Sequence, residues 1–130
     1  MKTLNEKAVR ILAALLKLPQ PTKYGTHDTA RELHAKVAHD IGRYRIINIT
    51  AYRNEEEWQT REPELTILHD TLTDEYIPSN IVNDYAHINS NSANIYGGVL
   101  TVWNDKIQSD HADFANRWLE NLAEQYGIDI

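Results

Sequence analysis

The fold of this chain is decided by one stretch, Tyr44–Tyr52, which reads YRIINITAY. It is rich in β-branched and aromatic residues, which favour an extended strand over a helix. Successive side chains of a strand point to opposite faces. The alternation therefore predicts a strand with one apolar face and one mixed face. The apolar face carries Ile47, Ile49 and Ala51, and the mixed face carries Tyr44, Ile46 and Tyr52.

The segment before this strand fits two structures. Leu33–Ile41 alternates as a strand does, but apolar residues from Ala30 to Ile41 also recur at helical spacing, and Thr29 could cap such a helix. Asp40–Arg43 has the composition of a turn leading into Tyr44. We therefore favour a strand for Ala30–Ile41 and leave the helix open.

After Tyr52, short strand patterns alternate with polar connections. The sequence predicts loops at Thr22–Asp28 and Asn54–Glu62, strands at Glu64–His69, Glu75–Ile77, Ile81–Val82 and Val99–Trp103, and a loop or irregular strand at Asn89–Asn94. Pro78 has no amide hydrogen, so it restricts its region to a sheet edge, a bulge or a break.

A helix is predicted at each end of the chain. Thr3 and Glu6 form a capping-box pattern for the first helix, which must end near Leu18 because Pro19 follows. Apolar residues three and four apart predict the last helix, with Ser109 or Asp110 as its cap and Gly127 as its stop; its stripe is Ala115, Trp118, Leu119, Leu122 and Tyr126.

Together these elements predict an α+β fold. We expect an antiparallel sheet of four or five strands in meander order, with the N-terminal and C-terminal helices packed on one face. The 130 residues fit a single domain spanning 1–130. The chain has no cysteine and no apolar run of the ~20 residues that cross a membrane, so we expect a cytoplasmic protein with no membrane contact.

The net charge of −6 is unevenly distributed. Residues 1–53 hold ten Lys and Arg against four acids, whereas residues 54–130 hold three against fifteen. Either the two halves interleave and their charges mix at the surface, or the second half presents an acidic face to a basic partner. The overall acidity argues against direct binding of nucleic acid.

The histidines do not form a recognisable catalytic or metal motif. His27, His39 and His69 each precede an aspartate and His111 follows one, but neighbours on a strand point to opposite faces. No helical zinc motif and no Gly-x-Ser-x-Gly nucleophile elbow is present. We therefore expect neither a catalytic nor a metal site, and no cofactor.

Three groups of residues are candidates for binding. The first is an acidic segment around a tryptophan, which has the composition of an interface hot spot: Glu55, Glu56, Glu57, Trp58, Arg61 and Glu62. The alternative is a pocket between sheet and helices lined by His39, His69 and Tyr52. Arg43, Arg45 and Arg53 beside Tyr44 and Tyr52 could also stack on a single strand of nucleic acid, although glutamates lie nearby.

Several short motifs resemble small uncharacterised domains encoded on bacterial plasmids and phages. They are Lys2-Thr3-Leu4-Asn5 before an Ala/Leu-rich helix, Tyr44-Arg45-Ile46, Pro63-Glu64-Leu65-Thr66-Ile67, and Phe114-Ala115-Asn116-x-Trp118-x-x-Asn121. The resemblance implies a setting among accessory genes of mobile elements. It implies no activity and no site residue.

Three functions follow as hypotheses. The first is a non-enzymatic accessory protein that binds a host or element protein, such as an inhibitor of host defence that uses its acidic surface. The second is a small ligand-binding or metal-dependent enzyme domain with a pocket between sheet and helices. The third is a structural homo-oligomer, for example a homodimer.

Overall fold

A computed structural model describes residues 1–24, 31–54 and 59–129. Helix α1 spans Glu6–Lys17 and helix α2 spans Asp105–Gln125. The strands between them are β1 (Thr22–Tyr24), β2 (Arg31–Ile41), β3 (Tyr44–Asn54), β4 (Gln59–Asp70), β5 (Glu75–Asn83), β6 (Ile88–Asn91), β7 (Ala93–Tyr96) and β8 (Val99–Val102).

Strands β1–β6 form one antiparallel sheet in sequential order. The predicted α+β fold and its meander are therefore confirmed. The last predicted strand does not join this sheet, because β8 pairs with β7 in a separate two-stranded hairpin. The sheet also gains β1 at its edge, where Thr22 was predicted to lie in a loop.

The ambiguous segment is a strand. β2 pairs with β3 along its length, with a register shift between Val37 and His39. The predicted loop at Asn54–Glu62 is shorter than expected, since β3 extends to Asn54 and β4 begins at Gln59. Residues 55–58 lie outside the described part of the chain.

Pro78 lies inside β5, where it pairs with Ile67 of β4, and the ladder between β5 and β6 begins only at Asn80. The register of β4 and β5 shifts beside it, between Thr66 and Ile67. The register shift is the bulge that was predicted as one of three possibilities, and it forms where β5 pairs with β4 and the ladder to β6 has not yet begun.

Both helix starts differ from the prediction. Asn5, not Thr3, caps α1, and its Oδ1 accepts a 2.8 Å hydrogen bond from the Ala8 amide. Asn104, not Ser109 or Asp110, caps α2 and accepts a 2.9 Å bond from the Ile107 amide. Asparagine is as good a cap as serine or aspartate, and in both cases it stands where the extended chain ends.

The main core lies between the helices and the inner face of the sheet. Alternate residues of β2, β3 and β4 are buried against α1 and α2, as the alternation in β3 predicts; the cluster includes Ile11, Leu12, Leu15, Leu33, Ile47, Ile49, Leu65, Ile67, Leu119 and Leu122. A smaller core fills the space between the outer face and the β7–β8 hairpin; it includes Leu68, Ile77 and Ala93, with Ile46, Ile95, Leu100 and Val102 packed against it.

Candidate functional site

The predicted acidic partner segment is described only at its end. Glu55–Trp58 lies outside the described residues, so its role remains a prediction. Arg61 and Glu62 lie in β4, and both make ion pairs within the fold. Arg61 donates to Asp84 from Nε and Nη2, at 3.0 Å each.

The ion pair between Arg61 and Asp84 shifts the pKa values of both side chains. The hydrogen bonds from Arg61 lower the pKa of the Asp84 carboxyl, and the same bonds raise the pKa of Arg61. Glu62 is buried, and its Oε1 lies 3.8 Å from Nη1 of Arg53. The structure therefore uses Arg61 and Glu62 to join neighbouring strands and turns.

The three residues of the predicted alternative pocket do not come together. His69 pairs with Arg45 on the inner face, where its ring stacks on Tyr76 at 3.9 Å. The register shift after Val37 places His39 opposite Ile46, on the outer face. Tyr52 shares that outer face but lies about 20 Å along β3 from Ile46, at about 3.3 Å per residue. The bulge in β2 and the length of β3 therefore separate the three residues.

The charge asymmetry between the two halves of the sequence is partly neutralised by folding. Lys2 pairs with Asp113, and Lys7 pairs with Glu120 at 2.7 Å, so cations of the N-terminal segment and α1 meet acids of α2. Interleaving of the halves is thus visible in the ion pairs between the two helices.

The arginines expected to offer a stacking surface are also engaged. Arg43, Arg45 and Arg53 each form an ion pair with an acid, namely Asp70, Asp40 and Glu62. A groove for single-stranded nucleic acid needs cations that can meet phosphates. These three are already neutralised, which does not favour nucleic acid as a ligand.

The side of the β7–β8 hairpin that faces away from the sheet is rich in exposed apolar side chains. Tyr96 is 60% exposed, Val99 63% and Trp103 54%. Strand alternation places them on one side together with Asn94 and Thr101, because Tyr96 pairs with Val99 and Asn94 with Thr101. We call this set of five residues the aromatic face.

Hydrogen bonds hold the aromatic side chains in place. Asn91 Oδ1 accepts from Trp103 Nε1 at 2.9 Å and from Asn94 Nδ2 at 2.8 Å. Asn94 Nδ2 also lies 3.2 Å from the Tyr96 hydroxyl. Two amide groups thus fix two exposed rings, which limits the conformational entropy that the rings can lose when a partner binds.

A cleft adjoins the aromatic face. It has a volume of about 330 Å³ and lies between the outer sheet face and the hairpin, lined by Ile41, Ile46, Thr66, Leu68, Asn94, Ile95 and Tyr96. We call it the hairpin cleft. Tyr96 and Asn94 belong to both features, so the cleft opens beside the aromatic face.

A second cavity lies on the other side of the sheet, under α2. It has a volume of about 250 Å³ and is lined by Pro63, Ile81, Asn83, Ile88, Ser90, Asp110, His111 and Phe114. We call it the helix pocket. His111 is buried at its wall, with Nε2 2.8 Å from Ser90 Oγ and Nδ1 2.8 Å from Ser92 Oγ.

From the sequence, His111 belonged to no recognisable catalytic or metal motif, and this arrangement was not predicted. Burial lowers the pKa of the His111 imidazole, although the negative charge of Asp110 opposes the shift. His111 and the serines belong to different elements, so only the tertiary fold brings them together. Within the described residues, no three His, Asp or Glu side chains group as metal ligands, at the adjacent Asp110-His111 pair or elsewhere.

The comparisons with known proteins give a family and no activity. Residues 29–128 match the model of the family described as "Domain of unknown function (DUF6908)", and this chain belongs to that family. No curated protein matches the chain. No solved structure matches it either. Neither helix of the described chain is long and apolar enough to cross a membrane.

Proposed function

We propose that this chain is a protein-binding domain that engages its partner through the aromatic face and the hairpin cleft. The observation that carries the proposal is the exposure of Tyr96, Val99 and Trp103 on one side of one hairpin. Large exposed apolar groups that adjoin one another mark interaction sites, whereas single scattered ones do not. Tyrosine and tryptophan are also the residues most enriched in interface hot spots.

The hairpin cleft complements the aromatic face. Hot-spot residues of one protein commonly insert into well-packed pockets of the other. The cleft has apolar walls at Ile41, Ile46 and Leu68, and it has room for an apolar side chain from the partner. We therefore expect a partner with a protruding apolar residue beside a flat, uncharged surface.

The uncharged side chains of the aromatic face favour a protein as its ligand. None of its five residues carries a charge, so phosphate groups and strongly basic surfaces find no complement there. The amides of Asn91 in β6 and Asn94 in β7 hydrogen-bond to each other, which leaves few polar groups to bind the hydroxyls of a sugar. Interface cores are likewise depleted in charged residues.

The proposal keeps the biological setting that the sequence suggested. The resemblance to plasmid and phage domains supports a cytoplasmic accessory protein whose partner is a host or element protein. An inhibitor of host defence fits that setting. The binding mode proposed here is apolar, so it differs from the charge-based mode that the acidic segment at Glu55–Glu57 would use.

The test is affinity capture from lysate with three baits, read by mass spectrometry. They are the wild-type chain, the double variant Tyr96→Ser/Trp103→Ser, and Tyr85→Ser as a matched control. Tyr85 is 70% exposed but lies in the β5–β6 turn, away from the hairpin. We expect a partner that the wild type and Tyr85→Ser retain at low and high salt, and that the double variant loses.

The affinity for the purified partner then gives a quantitative check. A hot-spot loss of at least about 2 kcal/mol predicts at least a 30-fold weaker Kd for the double variant. The proposal fails if the double variant retains everything that the wild type retains. Binding that high salt abolishes would assign the site to the acidic segment instead. A mass of twice 15.0 kDa that reverts in the double variant would assign the face to self-association.

A further inference from the structure

His111 is the centre of a directed chain of hydrogen bonds. Its Nε2 lies 2.8 Å from Ser90 Oγ, and its Nδ1 lies 2.8 Å from Ser92 Oγ. Ser92 Oγ lies in turn 3.3 Å from the Ser79 carbonyl oxygen. Ser92 and His111 are buried, so water does not compete for these groups.

We assign the direction of the chain from its last acceptor. The Ser79 carbonyl can only accept, and it already accepts from the Ser92 amide at 2.9 Å. We assign the Ser92 hydroxyl as its second donor, at 3.3 Å. Ser92 Oγ then accepts the hydrogen of His111 Nδ1, which leaves Nε2 with a lone pair. Ser90 Oγ therefore donates to Nε2, in the relation of a nucleophile to its general base.

The burial of His111 suits that role. A buried imidazole favours its neutral form, and the lowered pKa leaves Nε2 free to take a proton at neutral pH. Among the described residues that line the helix pocket, Asp110 is the one with a charged side chain at neutral pH. Its effect on His111 is smaller than that of burial.

A hydrogen-bond donor faces the same pocket. Asn83 and Ser90 lie on neighbouring strands, since Ile81 pairs with Ser90 and Asn83 pairs with Ile88. Such diagonal neighbours on one face are about 7–8 Å apart. Asn83 lines the pocket, and because the Ala86 amide occupies its Oδ1 at 3.0 Å, Nδ2 is the group of this side chain that can donate. A carbonyl group placed between them could meet Ser90 Oγ at its carbon and Asn83 Nδ2 at its oxygen.

We propose that the helix pocket is an acyl-transfer site in which Ser90 is the nucleophile and His111 the general base. Ser90 Oγ attacks the carbonyl carbon of an ester as its proton passes to His111 Nε2. The bond from that carbon to the leaving oxygen breaks, and the leaving oxygen takes the proton from Nε2. An acyl group on Ser90 and a free alcohol result.

Water completes the reaction. It attacks the acyl carbon, its proton passes through Nε2 to Ser90 Oγ, and a carboxylic acid leaves. Ser92 is a positioning residue, because it holds Nδ1–H and with it the orientation of the ring. Asn83 Nδ2 is assigned to donate a hydrogen bond to the oxyanion that develops on the carbonyl oxygen.

The lining defines the substrate class. Pro63, Ile81, Ile88 and Phe114 are apolar, and Asp110 repels anions. A cavity of about 250 Å³ suits a short, uncharged acyl chain, such as a butyryl ester. This site lies on the opposite side of the sheet from the hairpin cleft, so it is independent of the proposed protein-binding role.

The test uses two probes on the intact chain, an alkyl fluorophosphonate and p-nitrophenyl butyrate. We expect one phosphonyl adduct per chain, located on Ser90 by peptide mass spectrometry, and p-nitrophenol release at least tenfold above that of Ser90→Ala. Ser109→Ala is the matched control, since Ser109 is a half-buried serine of α2 without a bond to His111.

A pH profile separates catalysis from a structural role. The labelling rate of the wild type is expected to rise through a single ionisation below pH 6.5 and then to level off, and His111→Gln is expected to lose both the rate and this ionisation. Wild-type protein that carries no adduct on Ser90, or that labels as slowly as Ser90→Ala, would overturn the proposal. So would labelling of Ser90 that His111→Gln leaves unchanged while its circular dichroism matches the wild type.

Discussion

Gln108 joins three parts of the fold, and its replacement by methionine gives a measurable prediction. Its side chain is completely buried in α2. Nε2 donates to the Lys2 carbonyl at 2.6 Å and to the Pro78 carbonyl at 3.1 Å, and Oε1 accepts from the Lys2 amide at 2.6 Å. Methionine keeps the unbranched shape of glutamine, so Gln108→Met removes the three bonds with little change of packing.

The expected loss of stability depends on whether the three backbone groups that Gln108 bonds can find water as a new partner. Lys2 is exposed, so its amide and carbonyl can return to water, and each lost bond costs about 0.5–1.5 kcal/mol. Pro78 is buried, so its carbonyl stays unpaired at about 1–3 kcal/mol. We expect the free energy of unfolding to fall by about 2–6 kcal/mol in total.

Urea unfolding followed by circular dichroism measures this loss, with Gln125→Met as the control. Gln125 lies in the same helix but is exposed, and surface replacements of this kind change stability by about 0.5 kcal/mol or less. Hydrogen exchange at the Lys2 amide should accelerate in Gln108→Met only. The reasoning is refuted if the two variants unfold at the same urea concentration.

Three further predictions test other parts of the structure. Since the folded pKa of His111 is lowered, stability should be lost as pH falls from about 6.5 through that pKa, and the urea midpoint of His111→Gln should lack this loss. Asp84→Asn should lower stability by about 1 kcal/mol, because Arg61 loses an ion pair that solvent partly screens; thermal melts check it. Asn91→Ala should release Trp103, which lower fluorescence anisotropy would report; an unchanged anisotropy would contradict it.

The fold followed from the sequence where hydrophobic periodicity is strong. The alternation of Ile47, Ile49 and Ala51 predicted the inner face of β3, and the neighbouring strands adopted the order of a meander. The helix starts were misplaced because several residues near each end can cap a helix. Thr3 was chosen for α1, but the chain around it is still extended, since the Leu4 amide bonds the Tyr76 carbonyl at 2.9 Å.

The candidate sites were much less accessible to sequence reasoning. Asn89–Asn94 was predicted to be a loop or an irregular strand, because asparagine and serine are common in turns. It forms β6 and the start of β7, and its polar side chains are needed to bond other elements. The contacts of Ser90 with His111, and of Asn91 with Trp103, depend on tertiary packing that no local pattern encodes.

The same short segment serves both candidate sites. Ser90 and Ser92 bond His111 on the helix side, while Asn91 bonds Trp103 and Asn94 on the hairpin side. Adjacent side chains of an extended chain point in opposite directions. The serines therefore contact the helix side of the sheet, and the asparagine between them contacts the hairpin side. An apolar residue in place of Ser92 would leave Nδ1 of the buried His111 without this partner, and one in place of Asn91 would remove the acceptor of Trp103 Nε1. The polar composition of this segment is therefore explained by contacts on both sides of the sheet.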